Sequence, residues 1–430
     1  MSTPVNTSDD TPGNDGTTVE MSRRRVLGTL GAAGAGGLVV GAVSGAGIAS
    51  AVSGESAPSA PALTTVGSTE VMFHGKHQAG ITTPLQSRGH LIAFDLVPGA
   101  GRKEAAALLR RWSTTAGTLM EGKPANGADT DISLDAGPSS LTLTFGFGRT
   151  FFDRTGLTAR RPAQLDPLPA FSSDVLDPKR SEGDLWVQIG ADDALVAFHA
   201  LRAVQKDAAG AARVRWQMNG FNRSAGATAK PMTARNLMGQ VDGTNNPVPA
   251  QSSFDQRIFV PDGASGAQAW MAGGSYAVVR RIRMLLDDWE GLSRPEQEQV
   301  IGRRKSDGAP LSGGSETTPL DLNKLGADGK TVIPNNAHSR ISAPAQNGGA
   351  AMLRRPFSYH DGIGADGTPD AGLLFIAWQA DPLRGFVPVQ RKLDRGDALS
   401  AFIRHETSGL FAAPGGPATG EYVGQRLLEA

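Results

Sequence analysis

Three short stretches of the sequence gather side chains that can ligate a metal or move protons. Gly239-Gln240-Val241-Asp242-Gly243-Thr244-Asn245-Asn246-Pro247 sets one carboxylate among turn formers, and Asp-Gly and Asn-Pro also fit a simple turn. Ile333-Pro334-Asn335-Asn336-Ala337-His338-Ser339-Arg340 surrounds a histidine with groups able to fix its ring, a turn histidine being the plainer alternative. Met352-Leu353-Arg354-Arg355-Pro356-Phe357-Ser358-Tyr359 interrupts apolar positions with two guanidiniums, which also suits a solvated basic edge. The other histidines carry weaker signals. His74 and His77 have H-x-x-H spacing but no third ligand to complete a metal site. His199 falls inside an apolar helical pattern as a hydrogen-bonded residue, His90 opens a strand, and His405 sits near a helix end, where its charge complements the helix dipole.

Composition narrows the chemistry. The 430 residues hold 42 Lys+Arg against 42 Asp+Glu, so the basic excess of a dedicated nucleic-acid binder is missing. There is no cysteine. That removes disulfides, thiolate zinc, iron–sulfur clusters, thioether-attached haem and a cysteine nucleophile together. No P-loop, dinucleotide-binding glycine fingerprint, G-x-S-x-G elbow or HExxH occurs. A homo-oligomer is left open.

The elements that must position these residues alternate between strand and helix. Before them, Ser22-Arg23-Arg24-Arg25-Val26-Leu27 leads into a nearly uncharged Gly28–Ala51 run ending Ala49-Ser50-Ala51. This resembles a twin-arginine signal peptide over residues 1–51, read by the twin-arginine export machinery, with a flexible linker over 52–68. Export to the periplasm, cell envelope or medium follows as an expectation. Strands are predicted at His90–Val97, Leu141–Phe147, Leu185–Ile189 and Arg213–Met218, with helices at 102–120 and Asp192–Gln205. The second half gives strands at Ser275–Leu286 and Leu373–Trp378. Its helices are one opened by a Ser293/Glu296 capping box and reaching about Arg304, and another over Asp397–His405. The pattern predicts an α+β fold of two duplicated units, 69–225 and 226–430, with long loops available for a site.

In order along the chain, these segments resemble the dye-decolourising peroxidase family. The match runs from Phe73-His74-Gly75-Lys76-His77-Gln78-Ala79-Gly80-Ile81 through Leu143-Thr144-Phe145-Gly146-Phe147-Gly148, Gly183-Asp184-Leu185 and the G-x-x-D-G motif Gly239–Gly243. It continues through Ile301-Gly302-Arg303, Ala337-His338-Ser339-Arg340 and Leu353-Arg354-Arg355 to Gly385-Phe386 and a C-terminal helix. The resemblance implies two ferredoxin-like units holding one non-covalent haem b between them. It makes His338 the axial iron ligand with Asp397 as its carboxylate partner, and places Asp242 and Arg354 on the opposite side. There Asp242 shuttles a proton of hydrogen peroxide and Arg354 stabilises charge on the departing oxygen. Because an ordinary Asp titrates near pH 4, an acidic optimum is expected. Gly243, Thr244, Asn245, Ala343, Pro344 and Ala345 are implied as haem contacts. Ala345 and Pro356 depart from the family pattern, which has a charged or longer residue and a glycine there. Small organic reductants such as dyes or phenolics are the implied electron donors. Trp378 and Tyr359 are read as core residues. The alternatives are removal of iron from haem, as in a deferrochelatase, and haem binding without turnover.

Overall fold

The computed structural model describes residues 65–125, 129–228 and 232–429. The predicted leader and most of the linker lie outside the described residues. The linker's last four residues, Thr65–Ser68, form one helical turn, and the Gly67 carbonyl accepts the Ser139 amide at 3.0 Å. No helix among the described residues is long and apolar enough to cross a membrane.

The first half runs β1 (Arg88–Leu96), α1 (Arg102–Met120), β2 (Thr142–Gly148), β3 (Leu185–Ala191), α2 (Ala194–Asp207) and β4 (Ala212–Phe221). The apolar positions that predict α1 (Ala105, Leu108, Leu109, Trp112, Ala116 and Leu119) are all buried. The helix starts where the Glu104 carboxylate accepts the Gly101 amide at 2.9 Å. At the start of α2 the Asp193 carboxylate accepts the amides of Leu195 and Val196. Trp112 Nε1 donates to the Val204 carbonyl at 2.9 Å and ties α1 to α2. The strands pair antiparallel in the order β4-β1-β3-β2, the ferredoxin-like arrangement.

The second half repeats it. Its elements are β5 (Ser275–Met284), α3 (Arg294–Ile301), the single turn α4 (His338–Ile341), β6 (Leu353–Arg354), β7 (Phe357–Ile363), β8 (Pro369–Gln379), α5 (Phe386–Gly396) and β9 (Ile403–Ala413). Here the order is β9-β5-β8-β7, with β6 also on β8. The two sheets join at both edges. Phe147↔Ala412 and Gly148↔Phe411 link β2 to β9, and Phe221↔Ser358 links β4 to β7. Eight strands thus close on themselves, which removes the exposed edges two separate sheets would carry. An aromatic cluster that includes Trp186, Trp216, Trp378 and Phe411 fills the interior, while α1 and α2 cover a separate apolar layer outside. This is why β2 and β3 are buried at every position.

One predicted element is corrected. Asp397–His405 is not a helix: Ala398–Phe402 makes a short 3₁₀ turn and Ile403 already pairs with Met284 in β9. Leu399, Phe402 and Ile403 have helical spacing because they pack on the Trp289 cluster, but hydrogen bonding to β5 decides the conformation. His405 therefore lies within a strand, buried, rather than at a helix terminus. Burial, with Arg280 beside it, pushes its pKa down to about 3, so the ring is neutral.

Candidate active site

Arg354 and Arg355 are neighbours on one extended segment, and their side chains have separate surroundings. Arg355 is buried: Nη2 donates to the Pro84 carbonyl at 2.8 Å and to Gln86 Oε1 at 3.1 Å, and Nη1 to the Gly80 carbonyl. Burial lowers its pKa to about 10. Arg354 keeps its side chain 28% exposed, and Nη1 donates to Asp242 Oδ1 at 3.0 Å. Arg355 thus fastens the strand to the first half and leaves Arg354 as the guanidinium available for chemistry.

The Asp242 turn is built to present one carboxylate. Arg235 and Val241 form an antiparallel bridge, the Asp242 amide donates to the Ala234 carbonyl at 2.9 Å, and Asn236 Nδ2 donates to Asp242 Oδ2 at 3.3 Å. Gly243 follows at φ 129°, a conformation L residues avoid, so the chain turns directly after the carboxylate. Thr244 and Thr233 both donate to Glu316 Oε1, at 3.0 and 2.5 Å. Asn246, a residue the sequence reading did not single out, locks this turn to Arg354. Its Oδ1 accepts the Arg354 amide at 3.1 Å and its Nδ2 donates to the Arg354 carbonyl at 2.8 Å. Asn245 is exposed.

His338 begins α4. Its Nδ1 lies 2.6 Å from Asp397 Oδ2, and the Asp397 side chain is 2% exposed. An ionised carboxylate only accepts, so Nδ1 carries the proton and Nε2 keeps its lone pair. Burial lowers the His338 pKa, but Asp397 overcomes this and the net direction is upward. The charges of Arg354 and Asp242 also act on the ring, which puts the three groups in one neighbourhood. Asp397 Oδ1 accepts the Leu399 amide at 3.0 Å, so one carboxylate caps the 3₁₀ turn and orients the imidazole.

Gly302 ends α3 at φ 85° and is the floor beneath this segment. A Cβ there would sit 2.5 Å from Ser339 Oγ and 3.1 Å from the Ala337 Cβ. Gly302→Ala is expected to cost about 1–3 kcal/mol of stability and to displace His338, measured by chemical denaturation and by haem titration.

Ala343 is buried, Pro344 opens a short 3₁₀ turn and Ala345 is exposed. Asn347 Nδ2 donates to the Ile341 and Ala343 carbonyls and holds that turn against α4. Trp378 and Tyr359 are both fully buried, in keeping with core roles. His77 stacks on Phe259 with ring centroids 3.5 Å apart, and its Nδ1 lies 2.6 Å from the Gly273 carbonyl. No group of three or more His, Asp or Glu able to hold a bare ion occurs among the described residues. A single oriented imidazole would suit haem, whose porphyrin brings its own nitrogen donors to the iron, and the donor set fits that group.

Profiles of the Dyp-type peroxidase N-terminal and C-terminal regions match residues 78–222 and 233–418. The chain belongs to the Dyp-type peroxidase family. It is 46% identical over 360 residues to a dye-decolorizing peroxidase from Thermobifida fusca, covering 82% of this chain and 84% of that one. A deferrochelatase of Escherichia coli is 33% identical over 425 residues, covering 95% and 97%. Among solved structures, a DyP-type peroxidase from Streptomyces coelicolor and ferric DtpA from Streptomyces lividans each share 74% identity. Each has a TM-score of 0.84 and covers 86% of this chain and all of the other. As a Dyp-type peroxidase the chain is a haem enzyme that takes hydrogen peroxide and a reductant. The two ferredoxin-like halves agree with that family's fold.

Proposed function

We propose that the protein is an exported haem peroxidase in which Asp242 moves the proton of hydrogen peroxide and Arg354 stabilises the departing oxygen, with dyes, phenolics or similar molecules as reductants. The observation that carries this reading is the 3.0 Å Asp242–Arg354 pair, partly open and electrostatically coupled to His338. His338 would hold the haem iron through Nε2, with Gly243, Thr244, Asn245 and the Ala343-Pro344-Ala345 turn against the group, which when bound would supply the redox chemistry for peroxide reduction. Asp242 accepts a proton from one peroxide oxygen and returns it to the other, directly or through one water. Arg354, always charged, faces the oxygen on which negative charge grows. The Asp397 carboxylate keeps the His338 ring in the tautomer that leaves Nε2 free.

Asp242→Asn preserves size and the turn while removing the base. Peroxide turnover is expected to fall about 100- to 10,000-fold with the haem absorption spectrum retained. The parent enzyme is expected to work best in acid, where a carboxylate base still functions. Unchanged turnover in the variant, or a parent profile that collapses below neutrality, removes Asp242 from this role. Release of iron-free protoporphyrin by the parent, with negligible peroxide turnover, favours instead the iron-removing activity named for the Escherichia coli relative.

Export rests on the Arg23-Arg24-Arg25 leader followed by the apolar run and Ala49-Ser50-Ala51. Replacing Arg24 and Arg25 by lysine is expected to retain the haem protein inside the cell, as read by fractionation and N-terminal sequencing. Equal release of both forms would mean that another route exports it.

A further inference from the structure

A second constellation with the chemistry of a nucleophile lies in the first half, built only from residues of that half. His199 projects from α2 toward the loop that joins α1 to β2. Its Nε2 is 2.7 Å from Asp129 Oδ1, and its Nδ1 is 2.5 Å from Ser133 Oγ. The side chains of His199 and Asp129 are 6% and 7% exposed, whereas Ser133 is half-buried. The hydrogen-bonding capacities fix the protons. A carboxylate accepts only, so His199 Nε2 carries the hydrogen. Nδ1 is then an acceptor, and the Ser133 hydroxyl donates to it. Asp129 is itself pinned: Oδ1 accepts the Asp131 amide at 2.9 Å, and Oδ2 accepts the Ala125 amide. Burial raises the Asp129 carboxyl, but these amides together with His199 hold it below its ordinary value.

The same three residues line one shallow, solvent-open cleft whose own volume is ≈ 20 Å³, room for about one water-sized group. Leu119, Leu134 and Val196 give it apolar walls, and Lys123, whose Nζ pairs with Glu121 at 2.5 Å, stands at its rim. The arrangement therefore has a nucleophile facing a cleft, a base in contact with it, and a buried anion orienting the base. Relative to the usual serine hydrolase, the two ring nitrogens exchange places, which leaves the acid–base logic intact.

We propose that Ser133 is an activated nucleophile for acyl transfer, acting on small activated esters independently of haem. Ser133 Oγ bonds to the ester carbonyl carbon while its proton passes to His199 Nδ1. The carbon–oxygen bond to the alcohol then breaks, and the alcohol leaves with that proton. Water, giving a proton to the same nitrogen, cleaves the Ser133 ester to release the carboxylic acid and restore the hydroxyl. No oxidant or reductant is consumed. The small volume of the cleft limits the buried part of a substrate to a short acyl group such as acetyl, with the alcohol portion left in solvent.

The test uses the haem-loaded protein with a fluorophosphonate probe and with p-nitrophenyl acetate, read by intact mass, peptide mapping and p-nitrophenolate release. One adduct per chain at Ser133 is expected, absent in Ser133→Ala. In His199→Gln the labelling rate is expected to fall about 100-fold or more. Ser133→Ala is expected to keep the haem spectrum and peroxide turnover, which separates loss of the nucleophile from loss of the fold. Asp129→Asn supplies a milder perturbation of the base should His199→Gln fail to fold, and is also expected to slow labelling. No adduct at Ser133, or labelling unaffected by the His199 and Asp129 variants, overturns the proposal and leaves the trio as a staple between α2 and its neighbouring loop.

Discussion

Replacing Arg354 by alanine is expected to lower peroxide turnover about 100- to 1,000-fold, the loss associated with one charged donor aimed at a developing anion. The haem absorption spectrum should persist, because Arg354 is not the axial ligand in this assignment and His338 with Asp397 is untouched. The magnitude follows from position. Arg354 is held by its backbone as well as its side chain, with Asn246 bonding both its amide and its carbonyl. The guanidinium therefore needs little reorganisation to meet charge on the departing oxygen. A lysine at 354 supplies charge without the planar fork, so partial recovery is expected, intermediate between the parent and alanine. Stopped-flow kinetics of the peroxide reaction measure this directly. A parent-like rate in Arg354→Ala would mean that another group stabilises the anion. Arg303 is the nearest test of that outcome, since the charges of Glu316 and Arg354 both act on it.

Why the sequence points to Arg354 and not to Asn246 has a physical basis. Motif order singles out Asp242, His338 and the arginine pair, because those side chains are chemically loaded. Asn246 and Asn236 stand in a turn-rich stretch where asparagine is ordinary, and only their long-range partners distinguish them. The choice between Arg354 and Arg355 is likewise invisible in a dipeptide. It depends on the loop of residues 80–86 that receives Arg355, more than 250 positions away in sequence. In the fold, α1 and β1–β5 are legible from periodicity. The closure of the barrel is not, since it rests on two residue pairs at one junction and one at the other. α5 is hidden by Pro388, which reads as a break but is tolerated because it falls in the first helical turn. The strand that replaces the expected helix after Ala398–Phe402 is imposed by β5, a partner more than a hundred residues upstream.

The largest effect on the cofactor itself is expected at His338. In His338→Ala no imidazole remains at the start of α4, and loss of the parent haem spectrum together with weak haem retention should follow. Asp397 gives the graded version, and its two oxygens have separable functions. Oδ1 caps the 3₁₀ turn through the Leu399 amide, while Oδ2 fixes the His338 tautomer. Asp397→Asn can keep the cap through its amide oxygen but loses the negative charge beside Nδ1. Such a change beyond the ligand itself is expected to lower haem affinity about 10- to 100-fold. It should also raise the reduction potential of bound haem, because an imidazole without a carboxylate partner donates less electron density to the iron. Asp397→Ala removes the cap as well, adding about 1 kcal/mol of destabilisation to the same spectroscopic change. Haem titration, potentiometry and denaturant unfolding on the two variants separate these contributions. A potential that moves in alanine but not in asparagine would assign the effect to displacement of α4. A shift shared by both assigns it to the charge of Asp397.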